Sequence, residues 1–279
     1  NVYICGAFNE FDGATHNGLI KLNSLGVIDP TFTSNDGFYF QDADVRNEVY
    51  KVQVYNDLVY ASGRFSKYYN SSTTANKIVA INLTTGAKDT SLNALVFKWY
   101  TGSSAEKDAV VTDFKIFNDK IYAIGQFTSY NDVSANGIIS LNLDGTINTT
   151  FDYGTGLDAM LDMDSISIEV DSSGIYLAGP IFAYNDTGCN SIIKLNFDGT
   201  LNMDFDTTAL NVQSNYFFSL KLHNAWLYAA GDFDLDPLGT SLVPSTRGVL
   251  KINKNTGVLD EDFIHVNPLS PTHNRAGFD

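Results

Sequence analysis

Residues 2–8 read VYICGAF, with apolar and smaller residues alternating up to a Gly and a Phe. The pattern returns as VYASGRF from Val59, IYAIGQF from Ile121, IYLAGPIF from Ile175 and LYAAGDF from Leu227. A period of two predicts a β-strand with two different faces. After a polar loop, a second strand ends in Asn: GLIKLN, KIVAIN, GIISLN, SIIKLN and GVLKIN. A tight turn follows, with Gly26, Gly86, Gly145, Gly199 and Gly257 at matching offsets. Glycine there supplies the positive φ that a Cβ penalises. Four units then place a phenylalanine (Phe32, Phe151, Phe205, Phe263), and the second has Leu92 instead.

A further strand precedes four of the five units: YKVQVYN, TDFKIFN, ISIEVDS and FSLKLHN. The apolar pairs Val52 and Val54, Phe114 and Ile116, Ile168 and Val170, and Leu220 and Leu222 fall in register. Gln53, Lys115, Glu169 and Lys221 sit between them. No helical spacing of apolar residues is sustained anywhere. Each unit therefore reads as a four-stranded antiparallel meander, which cannot bury both faces alone. The key tyrosines, Tyr3, Tyr60, Tyr122, Tyr176 and Tyr228, recur every 52 to 62 residues, a period that points to a solenoid or a propeller. Radial packing buries the blade faces and leaves short edges.

The expected fold is all-β: a β-propeller of about five four-stranded antiparallel blades, the first incomplete. One domain spans 1–279, with repeats near 1–45, 46–105, 106–160, 161–212 and 213–265 and an irregular tail at 266–279. The first unit has no leading strand, so upstream residues, further blades or a neighbouring subunit are expected to supply one. The chain is accordingly read as part of a larger polypeptide or assembly.

The repeat G-x-F-x-x-Y…N-x-I-x-x-L-N-x-D-G-x-x-(N/D)-x-x-F resembles the delta-sixty type of β-propeller repeat. That family occurs in bacterial secreted and surface proteins and in some viral proteins. The resemblance covers nearly the whole chain and implies a scaffold, with no family-wide catalytic motif. The fifth unit departs from it in the longer loop GDFDLDPLGTSLVPSTRG, and the second in TTGAKDTSLNALVFKW, which lacks the terminal Phe.

Composition narrows the function classes. The 279 residues are 44% hydrophobic, enough for a large core, and carry a formal net charge of −15. Such a surface repels phosphate backbones and anionic lipid, which argues against nucleic acid and membrane-surface partners. No run reaches the length of a membrane span. Cys5 and Cys189 are too few for a disulfide framework and are read as free thiols. The sequence has no P-loop, no GxSxG elbow and no GxGxxG opening a helix, so no cofactor is expected.

Three candidate sites remain. Glu48, Asp108, Asp162 and Asp164 lie at or before the starts of leading strands. Converging at a channel mouth, such acids can raise one another's pKa and hydrolyse glycosides. The alternatives are an ion or water site and a solvated rim. Asp232, Asp234 and Asp236 share a strand face and offer calcium hard oxygen ligands, but Pro237 and the lack of a closing Glu favour a polar edge, so no metal is expected. Phe11, Tyr68, Tyr130 and Tyr184 follow the Gly-x-Phe strands, with Tyr69 beside Tyr68. They are read either as loop-tip contacts for a protein or glycan or as packing between blades.

The leading expectation is a non-enzymatic scaffold or binding module of a secreted, cell-surface or virion-surface protein, presenting loops to a protein or glycan. The alternatives are a glycoside hydrolase using the channel-mouth acids and a purely structural spacer.

Overall fold

The computed structural model describes residues 1–32, 37–39, 48–68, 76–92, 95–101, 105–159, 166–210, 216–232 and 248–263. The described residues are all-β apart from single 3-10 turns at Thr208–Leu210 and Glu261–Phe263. The strands are β1 (Val2–Cys5), β2 (Glu10–Phe11), β3 (Ala14–Thr15) and β4 (Leu19–Leu22) in the first unit. The second unit has β5 (Phe38–Tyr39), β6 (Glu48–Tyr55), β7 (Leu58–Arg64), β8 (Lys67–Tyr68) and β9 (Ile78–Asn82). The third has β10 (Phe97–Thr101), β11 (Ala105–Lys107), β12 (Val110–Phe117), β13 (Lys120–Gln126), β14 (Ser129–Tyr130), β15 (Val133–Ser134) and β16 (Ile138–Asn142). The fourth has β17 (Leu157–Ala159), β18 (Ser167–Asp171), β19 (Gly174–Ala178), β20 (Ile181–Tyr184), β21 (Thr187–Gly188) and β22 (Ile192–Leu195). The fifth has β23 (Tyr216–His223), β24 (Trp226–Asp232) and β25 (Gly248–Asn253).

Leading strand, Tyr-x-x-Gly strand and Asn-ended strand pair antiparallel, in the orders β6-β7-β9, β12-β13-β16, β18-β19-β22 and β23-β24-β25. The first unit has the two-stranded sheet β1-β4. The expected fourth strand is reduced to a one-residue bridge after each turn: Leu22 with Ile28, Ile81 with Lys88, Leu141 with Ile147, Leu195 with Leu201 and Ile252 with Leu259. A tight turn with glycine at its last corner returns the chain for one antiparallel pair before the terminal Phe or Leu turns inward.

A second set of small sheets was not legible in the sequence. The segment after the terminal Phe or Leu extends along the next unit's polar loop, so β5 pairs with β8, β10 with β14 and β17 with β20.

The core is divided among the joints between units. Tyr3, Cys5, Leu19 and Phe32 of the first unit meet Val59, Ala61, Val79 and Ile81 of the second in one cluster. Tyr60 and Ile78 meet Ile121, Ala123 and Ile139, and Tyr122 and Ile138 meet Ile175 and Leu177. Tyr176 and Ile192 meet Leu227 and Ala229. Strand alternation explains this: odd and even positions face opposite neighbours. The repeated tyrosine also packs edge-on against the terminal Phe of its own unit, with centroids 5.6 Å apart for Tyr3–Phe32, 5.9 Å for Tyr122–Phe151, 5.8 Å for Tyr176–Phe205 and 5.7 Å for Tyr228–Phe263. In the second unit Leu92 shares the cluster of Tyr60 and supplies that contact as aliphatic surface.

Candidate functional site

The leading strands of four units converge. Residues of β6, β12, β23 and the start of β18 line one cavity of about 240 Å³: Tyr50, Lys51, Thr112, Asp113, Ile166, Ser167, Phe218 and Ser219. β-Bulges help to form it. The ladders of β6, β12 and β23 shift register between Val49 and Lys51, Val111 and Asp113, and Phe217 and Ser219. The bulged residues are Tyr50, Thr112 and Phe218, all on the cavity wall, in keeping with the way bulges re-aim side chains.

Past the bulges, Lys51, Asp113, Ser167 and Ser219 occupy matching positions. The Asp113 carboxylate ties three units together. Its Oδ1 accepts the Phe114 N–H at 2.8 Å and lies 3.2 Å from Lys51 Nζ. Its Oδ2 accepts the Ser167 hydroxyl at 3.2 Å and the Ile168 N–H at 3.3 Å. The Ser167 oxygen in turn accepts the Leu220 N–H at 3.2 Å. Burial pushes the Asp113 pKa up, and Lys51 pulls against that shift. A second polar tier lies two residues along. There Glu169 holds Lys115 at 3.0 Å and Lys221 at 3.5 Å, and the Gln53 amide exchanges bonds with the backbone of Ile116.

Of the acids singled out from the sequence, Glu48 accepts the hydroxyl of Tyr50, which lines this cavity. Asp108 is in an ion pair with Lys77 at 2.6 Å, and burial lowers the Lys77 pKa. Asp162 and Asp164 lie outside the described residues. Sequence reasoning missed Asp113. Its signal was the alignment of Lys51, Asp113, Ser167 and Ser219 one alternation before the tier that was noted.

Of the tyrosines read either as loop-tip contacts or as packing, Tyr68, Tyr130 and Tyr184 are buried, and each donates its hydroxyl to the carbonyl of its unit's turn glycine: Gly86 at 2.6 Å, Gly145 at 2.5 Å and Gly199 at 2.6 Å. The side chain points inward because the next two residues make the reversal. Asn131 and Asp132, and Asn185 and Asp186, adopt positive φ, as do Asp12 and Gly13 after the half-buried Phe11. These pairs are the exposed tips. Within them Asn131 accepts the Val96 N–H at 2.9 Å and Asn185 the Thr155 N–H at 3.2 Å, while Asp132 is 83% exposed beside Lys98. Tyr69 lies outside the described residues, as do Asp234 and Asp236 of the calcium candidate. Asp232 ends β24, opposite Tyr216. Among the described residues no three His, Cys, Asp or Glu side chains gather as a metal site.

A larger cavity of about 500 Å³ lies on the fourth unit, lined by Phe182, Cys189, Lys194, Met203 and Thr207 among others. Burial pushes the Cys189 thiol up to about 11, which keeps it a protonated, poor nucleophile. Cys5 and Cys189 are both free.

A family model described as a domain of unknown function (DUF5122) beta-propeller matches residues 1–32 and 118–151. No curated protein matches the chain. Among solved structures, extracellular domains 1-2 of Drosophila Semaphorin 1a align with 81% of this chain and 43% of that one, at 8% identity and a TM-score of 0.44. The computationally designed Ika8 protein aligns with 80% of this chain and 89% of its own, at 11% identity and a TM-score of 0.24. This chain thus spans less than half of the semaphorin chain. The matched stretches contain the Asn-ended strand, the glycine turn and the terminal Phe of two units, and together with the repeated antiparallel sheets they support a β-propeller domain.

Proposed function

We propose that this chain is a non-enzymatic β-propeller module that presents its hairpin tips to a protein or glycan, within a larger secreted, cell-surface or virion-surface protein. The observation that carries the reading is the bonding of Asp113. Both of its oxygens are taken up by donors from three units, so the carboxylate at the centre of the converging strands serves as a clamp. A general acid or nucleophile needs an oxygen facing its substrate.

The tips supply the presenting surface. Asp12, Gly13, Asn131, Asp132, Asn185 and Asp186 recur at one place in three units and are exposed. In the third and fourth units the residue before the tip, Tyr130 or Tyr184, is buried and bonded to the turn glycine of its unit. Rigid hairpins of this kind bind with little ordering cost.

The test pairs a glycan array with turnover assays on a panel of aryl glycosides. Binding is expected on the array, with loss in an Asp12→Lys/Asp132→Lys/Asp186→Lys variant of unchanged melting temperature. Turnover that disappears in Glu48→Gln or Asp108→Asn would overturn the scaffold reading in favour of glycoside hydrolysis.

A further inference from the structure

The third and fourth units correspond residue for residue, without a gap, from Tyr130 and Tyr184 through Gly145 and Gly199 to Phe151 and Phe205. Two residues after the terminal Phe they differ in size: the third unit has Tyr153 and the fourth has Thr207. The Tyr153 hydroxyl donates to the Ser134 carbonyl of its unit's hairpin at 2.7 Å, and its ring centroid lies 6.4 Å from that of Phe151. The ring packs against the apolar clusters on both sides of the unit. Thr207 is too short for that reach, and its hydroxyl donates instead to the Ile192 carbonyl at 2.9 Å. The cavity of about 500 Å³ is the result. Thr207 lines it, as does Gly188, the counterpart of Ser134, and every described residue of its wall belongs to the fourth unit, between Phe182 and Thr208.

Three further differences between the two units gather on this cavity. Phe182 and Met203, both on its wall, are 47% and 77% exposed, where the third unit has Thr128 and Thr149. Apolar side chains brought together at a surface mark a contact site more than a solvated edge. The third difference strands an acceptor. In the third unit Asn148 Oδ1 accepts the Thr150 hydroxyl at 2.8 Å and the Thr150 N–H at 3.3 Å. The fourth unit has Asp204 there, whose side chain is an acceptor itself. The counterpart of Asn148, Asn202, donates its Nδ2 to Asn196 at 2.8 Å, and its buried Oδ1 has no hydrogen-bond partner among the described residues. Asn202 is part of the cavity wall. A buried acceptor left unpaired is a cost that a donor on a ligand removes.

We propose that this cavity binds a phenolic ring, in the place that Tyr153 fills in the third unit. The ring enters beside Phe182 and Met203, lies against Ile193, Leu201 and Phe205, and donates its hydroxyl to Asn202 Oδ1. The chemistry of the wall selects this class. The unpaired group is an acceptor, so the ligand needs a donor. The apolar wall favours a ring over a sugar or an amide. An anion is disfavoured, because the chain carries a net charge of −15 and the one lysine on the described wall is engaged elsewhere. That lysine, Lys194, holds its ammonium 5.3 Å over the Tyr176 ring and 3.4 Å from the Lys254 carbonyl.

The test is independent of what the hairpin tips bind. Saturation-transfer NMR and calorimetric titration of the chain use p-cresol, the tyrosine side chain as a free molecule, with toluene and benzoate as comparisons. The expected result is p-cresol bound more tightly than toluene by about three- to tenfold, the worth of one hydrogen bond, and benzoate not bound. N-acetyltyrosinamide separates two sources of the ring: binding like that of p-cresol supports a tyrosine presented by a protein, and exclusion supports a free phenol. Bound p-cresol should slow the alkylation of Cys189, on the cavity wall, and leave that of Cys5 unchanged, a measurement that needs no variant. Thr207→Tyr restores the plug of the third unit and should abolish binding. Asn202→Ala should keep toluene binding and lose the preference for p-cresol. No binding of p-cresol up to its solubility overturns the proposal, as does equal affinity for toluene. Binding that leaves Cys189 unprotected, or that survives unchanged in a folded Thr207→Tyr chain, overturns it too, and a preference for p-cresol retained in Asn202→Ala overturns the role of Asn202.

Discussion

The hydroxyl of Tyr130 donates to the carbonyl of Gly145 at 2.5 Å, both within one unit and out of contact with water. Tyr68 and Tyr184 do the same to Gly86 and Gly199. Burial raises the pKa of Tyr130 and Tyr184, so the phenol remains a donor across the physiological range. The bond ties a hairpin excursion to the turn that ends the same unit. Tyr130→Phe keeps the ring and strands the carbonyl, at a cost of about 1–3 kcal/mol. Tyr184→Phe should cost a similar amount, and the double variant the sum, since the two lie in different units. Tyr153→Phe, which loses a bond to the Ser134 carbonyl in an exposed setting, is the control and should cost less. Urea unfolding midpoints at constant m-value provide the measurement. Equal losses at Tyr130 and Tyr153 would contradict the account.

Phe151 meets Tyr122 edge-on with an interplanar angle of 69° and is buried. Phe151→Ala should destabilise by about 3–5 kcal/mol through the cavity it leaves. Phe151→Leu should cost only about 1 kcal/mol, the edge-to-face increment, because the second unit already closes this position with Leu92. Thermal and urea unfolding of the two variants check the ordering. A leucine as damaging as an alanine would mean that the ring, rather than apolar filling, is the requirement.

Two sets of carboxylates give the stability opposite slopes with pH. Asp29 is held at about 2 by the Thr31 hydroxyl and by Lys21, and the turn aspartates Asp144 and Asp198 are held below 3.8 by Thr146 and Thr200. A depressed folded pKa contributes stability above the unfolded value, and that stability is lost as pH falls through the folded one. Acidification from about 4 to about 2 should therefore weaken the fold, and Thr146→Val/Thr200→Val should flatten that limb. Asp113 works the other way. Its raised pKa contributes stability at acid pH that is lost as pH rises through the folded value. The advantage of the wild type over Asp113→Asn should be largest in acid and shrink toward neutral pH. Melting temperatures across the pH range test both slopes, and a wild-type advantage that grows with pH would refute the assignment to Asp113.

Strand alternation by itself determined much of this protein. The registers of Phe114 and Ile116, Ile168 and Val170, and Leu220 and Leu222 are legible because a strand turns alternate residues to the core wherever it lies. The turns at Gly145 and Gly199 are legible for a similar reason, since their φ values of 85° and 90° exclude most other residues. Such constraints act within a few residues of chain. What lies across the chain was decided by the tertiary structure. Tyr130 reads equally well as a loop tip or a buried anchor until Asn131 and Asp132 make the reversal beyond it. The fourth strand shrinks to single bridges, and the segments after the terminal Phe form small strands, because the next unit provides their partners. Asp113 gains its role from Lys51 in the unit before and Ser167 in the unit after, brought close by the convergence of leading strands and by bulges that break the alternation.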